Sequence, residues 1–240
     1  MKGTWVSRFL IGTLILGALV GCTTLLQQVN RSFGNPNLVL GNPSAAIASA
    51  DSADNYLITK PQYALSYNRD KGIPNWVSWQ LNASWLGTLP RPAFTADPLL
   101  PEGWYRVSPD DYTGSGFDRG HMIPAADRNR NPDDSKAVFL MTNIFPQAPD
   151  NNRGPWEELE SDCRDWVKKG KELYIIAGTA GSGGTGEKGK RDTIGRGKVA
   201  VPASTWKVIV VLDRPGLGLL DITPSTRVIA VNMPNQQGIK

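Results

Sequence analysis

The sequence predicts an α+β fold with an antiparallel or mixed β-sheet at its centre, flanked by helices. Three observations point there. Apolar runs of strand length outnumber helical stretches, one segment alone carries a clear helical stripe, and the connections are irregular and rich in glycine and proline. The 240 residues suffice for one large domain or two small ones, and a 40% hydrophobic share excludes both a disordered chain and a membrane-filled one.

The N-terminus reads as an export signal. Lys2 and Arg8 precede FLIGTLILGALVG, a run too short and too broken by glycine for a good membrane span. It ends in Leu19-Val20-Gly21-Cys22, which resembles a bacterial lipobox. The resemblance implies a signal peptide over residues 1–21 and a lipid on Cys22. The protein would then be exported, as a membrane-anchored lipoprotein or a periplasmic or extracellular one. Plain secretion and an uncleaved anchor helix are the alternatives. The net charge of +4 falls by two once Lys2 and Arg8 are removed, a mild basicity compatible with a polyanionic substrate.

Residues 22–55, rich in Asn, Ser, Ala, Gly and Pro without a period, read as a flexible tether. The catalytic domain is expected over 56–240. In WVSWQL, Val77, Trp79 and Leu81 alternate as in a half-buried strand. AVFLMTN, ELYIIAG, TWKVIVVLD and TRVIAVNMP also read as strands, the last two parted by the turn-rich RPGLGLLDITPS. The helix follows NNRGP. There Trp156, Leu159, Cys163, Trp166 and Val167 form one apolar face, Pro155 suits the first turn and Gly170 the exit. Cys163 on that face is core filler, and with Cys22 lipidated no disulfide or Cys-based zinc site is available.

GTGEKGKR, residues 184–191, nearly spells a phosphate-binding P-loop. Arg191 stands where the magnesium-binding Ser or Thr belongs, and β-type residues follow where a helix should begin. The nucleotide-triphosphatase class is therefore excluded. Residues 181–200 are either a solvated hairpin loop or a flexible basic arm that touches phosphates.

The only histidine, His121, lies in GSGFDRGHMIPAAD, residues 114–127. Imidazole is the side chain best suited to accept a proton near neutral pH, although a lone histidine is also often structural. FLMTNIFPQAPDNNRGPWEELE follows at residues 139–160. DRGH, then TNIFPQ, then NNRG with a Trp and LE, resembles the DNA/RNA non-specific endonuclease family. These are sugar-nonspecific nucleases with a ββα-metal core, and the similarity is greatest to cyanobacterial secreted members. It extends over most of residues 60–234, from LPEGWYRVSPDDYTGSGFDRGH through TRVIAVNMP.

The resemblance implies a role for each matching residue. His121 is the general base. Asn152 holds Mg2+ directly, with Mn2+ as an alternative ion, and Glu160 holds a water of the metal. Arg119 contacts phosphate or the cleaved product, Arg91 stabilises the transition state, Asp118 orients the loop and Asn143 supports the site by hydrogen bonding. Magnesium prefers oxygen donors and keeps several waters, so an amide oxygen and substrate oxygens suffice without a carboxylate cluster. Were the helix to start near Asn152, Glu160 would lie about two turns on and about 80° around the axis. The blander readings are a helix cap for Asn152, an exposed ion pair with Arg164 for Glu160, and surface pairing for the arginines. Glu157 and Glu158 suit the exposed ion pair better than Glu160 does.

DNA and RNA are the implied substrates, because phosphate contacts carry no sequence information directly. A protein inhibitor is a further implied partner. The rival class is a nucleic-acid-binding lipoprotein that retains the fold without cutting. The family pattern continues beyond the final strand whereas this chain stops at NQQGIK, so the domain is expected to be short at its C-terminus.

Overall fold

Residues 35–239 are described by the structure, a computed structural model. The expected signal peptide and Cys22 lie outside the described residues. In chain order the elements are β1 (Tyr56–Thr59), β2 (Ala64–Asn68), β3 (Ile73–Leu81), β4 (Asp118–His121), α1 (Pro132–Val138) and β5 (Ile144–Gln147). There follow α2 (Pro149–Arg153), α3 (Pro155–Lys168), β6 (Glu172–Ala180), β7 (Ser204–Leu212) and β8 (Arg227–Pro234). The expected α+β class is what the chain adopts.

Six strands form one sheet in the order β1-β2-β3-β6-β7-β8, and every neighbouring pair is antiparallel. β3, β6 and β7 are the long central strands, where Val, Ile, Leu and Trp fill a pleated surface buried by its neighbours. β8, on the edge, alternates exposed and half-buried residues. β4 and β5 form a separate two-stranded ribbon, and α2 and α3 follow it directly. The core includes the fully buried Tyr63, Trp79, Phe139, Phe145 and Trp156.

Helix α3 begins at Pro155 and buries Trp156, Cys163 and Val167, with Leu159 and Trp166 partly covered. Each fully buried apolar side chain contributes about 1.5–3 kcal/mol. Gly170, at φ 88°, ends the helix: its N–H bonds Val167 O and that of Lys171 bonds Trp166 O. Those two bonds satisfy carbonyls the last turn leaves open, and glycine alone takes that φ without strain.

Three local expectations are corrected. AVFLMTN is not a strand: Ala137 and Val138 finish α1 and Met141–Asn143 make a 3-10 turn, so the strand falls later, on IFPQ. Most of the run is buried, and apolarity without a period does not separate strand from helix. Asn131 caps α1 by accepting the Asp134 N–H, and Pro132 fills its first position.

The tether does not extend to residue 55. The compact unit begins at Asn37, whose side-chain oxygen accepts the Gln80 N–H while its carbonyl accepts the Ser78 hydroxyl. Ser44 accepts from Trp76 Nε1, Ala46 is buried, and Ile47 bridges Tyr56. Low hydropathy in a segment does not reveal that its polar groups complete another strand's hydrogen bonds.

Finally, the helix bearing Glu160 does not start near Asn152. Gly154, at φ −117° and ψ −117°, interrupts it, so Asn152 belongs to the short α2 and Glu160 to α3.

Candidate active site

DRGH forms β4, and its register against β5 sets Asp118 opposite Gln147, Arg119 opposite Pro146, Gly120 opposite Phe145 and His121 opposite Ile144. Successive side chains of a strand alternate sides, so Arg119 and His121 share one face. Gly120 is required by packing. The Gln147 side chain lies against its Cα, and any Cβ there would overlap it. Beyond His121 the chain is clamped by Asn143, which is fully buried. Its amide donates to Ile123 O and Val138 O at 3.1 and 2.9 Å, and its oxygen accepts the Ile123 N–H at 3.1 Å. Asn143 thus anchors the backbone after His121 and is not among the residues that line the cavity.

Arg91, Arg119, His121, Asn152 and Glu160 line one cavity of about 360 Å³, together with Arg164. Asp118 and Asn143 stand behind it. The His121 ring packs edge-on to Phe139 at 4.8 Å and tilted against Phe94 at 5.3 Å. The Arg91 guanidinium lies over Phe139, and that of Arg119 over Phe94, each at 5.4 Å. Two cations therefore flank the imidazole without a carboxylate between them. His121 is 8% exposed, and its Nε2 has no hydrogen-bond partner among the described residues. Burial, reinforced by the Arg91 charge, pushes its pKa down to about 3, so the ring is neutral across the physiological range.

Asn152 reaches the cavity from α2. Its Nδ2 donates to Asp118 Oδ2 at 2.8 Å, and Arg153 forks onto the same carboxylate at 2.7 and 2.9 Å. With its nitrogen committed, Asn152 keeps its amide oxygen as a free acceptor. The helix cap considered for Asn152 is not formed. α2 itself is propped by the chain after β8. Asn151 Nδ2 donates to Pro234 O, Gln237 Oε1 accepts the Asp150 N–H, and Asp150 Oδ2 accepts the Gly238 N–H. Asn235, 1% exposed, ties the preceding turn: it accepts the Ala148 N–H and donates to Pro146 O and Pro202 O.

Glu160 does not form the exposed ion pair with Arg164 that is its blander reading. Lys207 of β7, itself buried, sits 3.6 Å away with its ammonium 4.0 Å from the Trp156 ring centroid. Burial pushes the Glu160 carboxyl up to about 7, Lys207 opposes that shift, and Asp127 adds to it. Arg164 instead pairs with Glu157 at 3.8 Å and Asp127 at 3.5 Å. Sequence reading missed Lys207, Asn235 and the approach of Arg164 to the cavity. Lys207 interrupts the apolar TWKVIVVL, and a charge inside a central-strand pattern is the one signal that could have marked it.

These elements, two antiparallel strands followed by helices that carry an Asn and a Glu into the same cavity as a strand-borne His, can be compared with known proteins. A family model of the DNA/RNA non-specific endonucleases matches residues 41–240. The chain belongs to the DNA/RNA non-specific endonuclease family. A nuclease of Nostoc sp. is 53% identical over 228 residues, covering 92% of this chain and 80% of that protein. Mitochondrial nuclease EXOG of Xenopus laevis is 34% identical, over 63% of this chain and 44% of its own length. Human mitochondrial endonuclease G is 30% identical, over 64% of this chain and 54% of its own. A crystal structure of an EndoG/EndoGI complex, which addresses EndoG inhibition, superposes with a TM-score of 0.66 at 26% identity, covering 84% of this chain and 79% of that one. In this nonspecific endonuclease β4, β5 and the α2–α3 pair are the ββα core of the family fold.

Proposed function

We propose that this nuclease hydrolyses phosphodiester bonds of DNA and RNA with divalent metal, His121 taking the proton from the attacking water. One observation carries the reading. An imidazole whose Nε2 has no hydrogen-bond partner among the described residues lines the cavity that also receives the Asn152 amide and two guanidinium groups. The neutral ring keeps one of its two nitrogens unprotonated as an acceptor. A bound phosphate anion would counter Arg91 and raise the basicity of His121 as the proton arrives. Arg91 and Arg119 hold phosphate oxygens and stabilise the charge that grows on them in the transition state.

The donor set fits a hard cation. Among the described residues no group of three or more His, Cys, Asp or Glu is gathered. Asn152 would supply an oxygen to such an ion and Glu160 a carboxylate to one of its waters, with substrate and solvent as the remaining donors. Held there, Mg2+ would supply positive charge against the developing phosphate charge, with Mn2+ as the natural substitute. Asp118 keeps the Asn152 amide oriented, and Asn143 keeps the backbone after His121 in place.

Incubating the purified protein with plasmid DNA and with RNA, with Mg2+ and then with chelator, tests this directly. Degradation of both polymers that stops with chelator is expected; intact polymer in every lane ends the proposal. The partners we propose are these polymers, a protein inhibitor, and a membrane reached through lipid on Cys22. Fatty-acid labelling that is lost in Cys22→Ala checks the anchor.

A further inference from the structure

A second cleft, larger than the catalytic cavity, is lined by the segment that leads into DRGH. It encloses about 720 Å³ between residues 105–115 and the turn of the Gly-rich arm, with Arg191 and Arg196 on the arm's side. Sequence reading left this arm as a solvated loop or a flexible phosphate-touching one. It is neither loose nor featureless. Thr193–Ile194 pairs with Val199–Ala200, Ile194 and Val199 are buried, and the Ala200 N–H bonds Lys71 O at 2.8 Å. The two walls are in tight contact: a Cβ on Gly195 would strike the Asp111 side chain.

At the tip, Arg196 holds a left-handed backbone, φ 56° and ψ 37°. A non-glycine residue there is strained, and such strain concentrates at ligand-binding positions. Neither Arg191 nor Arg196 has a carboxylate within ion-pair distance among the described residues. Of the two acidic groups in the lining, Asp111 is internally satisfied. It accepts the Tyr105 hydroxyl at 2.7 Å and the Ser108 N–H at 2.8 Å. Asp110 is the remaining exposed carboxylate. Tyr105 is 43% exposed, with its hydroxyl pinned and Lys198 Nζ 5.5 Å from the ring. The cleft thus offers two uncompensated guanidinium groups and a held aromatic face, the pairing that recognises a sugar-phosphate strand by phosphate contact and base stacking.

The cleft and the catalytic cavity are joined through one stretch of backbone. Arg119, which lines the cavity, donates to Pro109 O at 3.3 Å, and Pro109 lies between Ser108 and Asp110 of the cleft. Ser115 of the cleft is four residues before Arg119, a span of at most about 14 Å.

Resting on the nuclease reading above, we propose that this cleft is a distal subsite for the sugar-phosphate backbone of the polynucleotide whose scissile bond lies at His121. Arg191 and Arg196 hold phosphates and Tyr105 stacks a base.

Binding tests it without relying on cleavage. In a His121→Ala background, the affinities of a 20-nucleotide and a 4-nucleotide single-stranded DNA are measured against salt concentration. Arg191→Gln with Arg196→Asn removes both charges, and Asn tolerates the left-handed backbone. The affinity gap between the two lengths should shrink by about tenfold. The salt slope for the 20-mer should become shallower by about 1.4, at roughly 0.7 per lost phosphate contact. Asp110→Asn should shift the 20-mer in the opposite direction, to tighter binding. An unchanged gap and slope overturn the subsite whether or not the wild-type protein cuts DNA, whereas failure of the wild type to cut, with the gap shrinking as stated, overturns the catalytic reading alone.

Discussion

Asn152 donates its amide N–H to Asp118 at 2.8 Å, and this bond decides which atom the cavity receives. A carboxylate accepts only from the NH2 end of the amide, so the oxygen is the end left for a cation or a phosphate-bound water. Asp118→Ala should let the amide turn. We expect a loss of about 10–100-fold in metal-dependent activity and a higher metal requirement, as for other partners that orient a ligand. A metal titration of kcat/KM checks this; an unchanged metal requirement would show that Asp118 merely packs.

His121→Ala should lower kcat by about 10²–10⁴-fold, the usual contribution of a general base. The affinity for uncleaved DNA should change little, because the base acts chiefly in the transition state. Single-turnover cleavage compared with direct binding separates the two effects. Equal losses in both would make the imidazole a binding group.

The lone histidine makes its protonation directly readable by NMR. Burial and Arg91 hold its native pKa at about 3, while the unfolded chain protonates at about 6.5. Between those values the unfolded state binds more protons, so stability falls as pH drops through that window. The imidazole resonances of the metal-free protein should stay flat from pH 8 to about 4, and His121→Gln should soften the acid-side loss of stability. A native titration midpoint above 6 contradicts the buried, neutral ring.

Glu160 and Lys207 form a buried pair 3.6 Å apart. Lys207→Met leaves the carboxylate without that cation, and a destabilisation of about 3 kcal/mol is expected near neutral pH. Adding Glu160→Gln should recover part of it, a coupling that a double-mutant cycle in chemical denaturation reads out. With the Glu160 pKa raised to about 7, its protonated form stabilises the fold below the ordinary carboxylate range, and that contribution is lost as pH rises through 7. The cost of Lys207→Met should accordingly shrink at pH 5.

Gly120→Ala should destabilise by about 1–3 kcal/mol, since the added methyl overlaps Gln147 in a fully packed region. Thermal unfolding measures it. A wild-type Tm would mean that Gln147 swings aside at no cost.

The sequence by itself determined the α+β class, the long strands of the sheet, helix α3 with its Pro155 start and Gly170 exit, and, through DRGH and NNRG, the family. Each of these is written in near neighbours, as a period, a cap or a short ordered motif. Tertiary structure alone decided the rest. AVFLMTN became a helix end and a turn, which a mostly buried apolar run does not distinguish from a strand. Residues 37–55 joined the domain through hydrogen bonds to residues some 40 positions away. Lys207 became the partner of Glu160, and Asn235 the tie beneath α2, by contacts across 47 and 87 residues. Those pairings depend on where the sheet and the ββα core meet, and no local pattern in a chain encodes the distance between its remote parts.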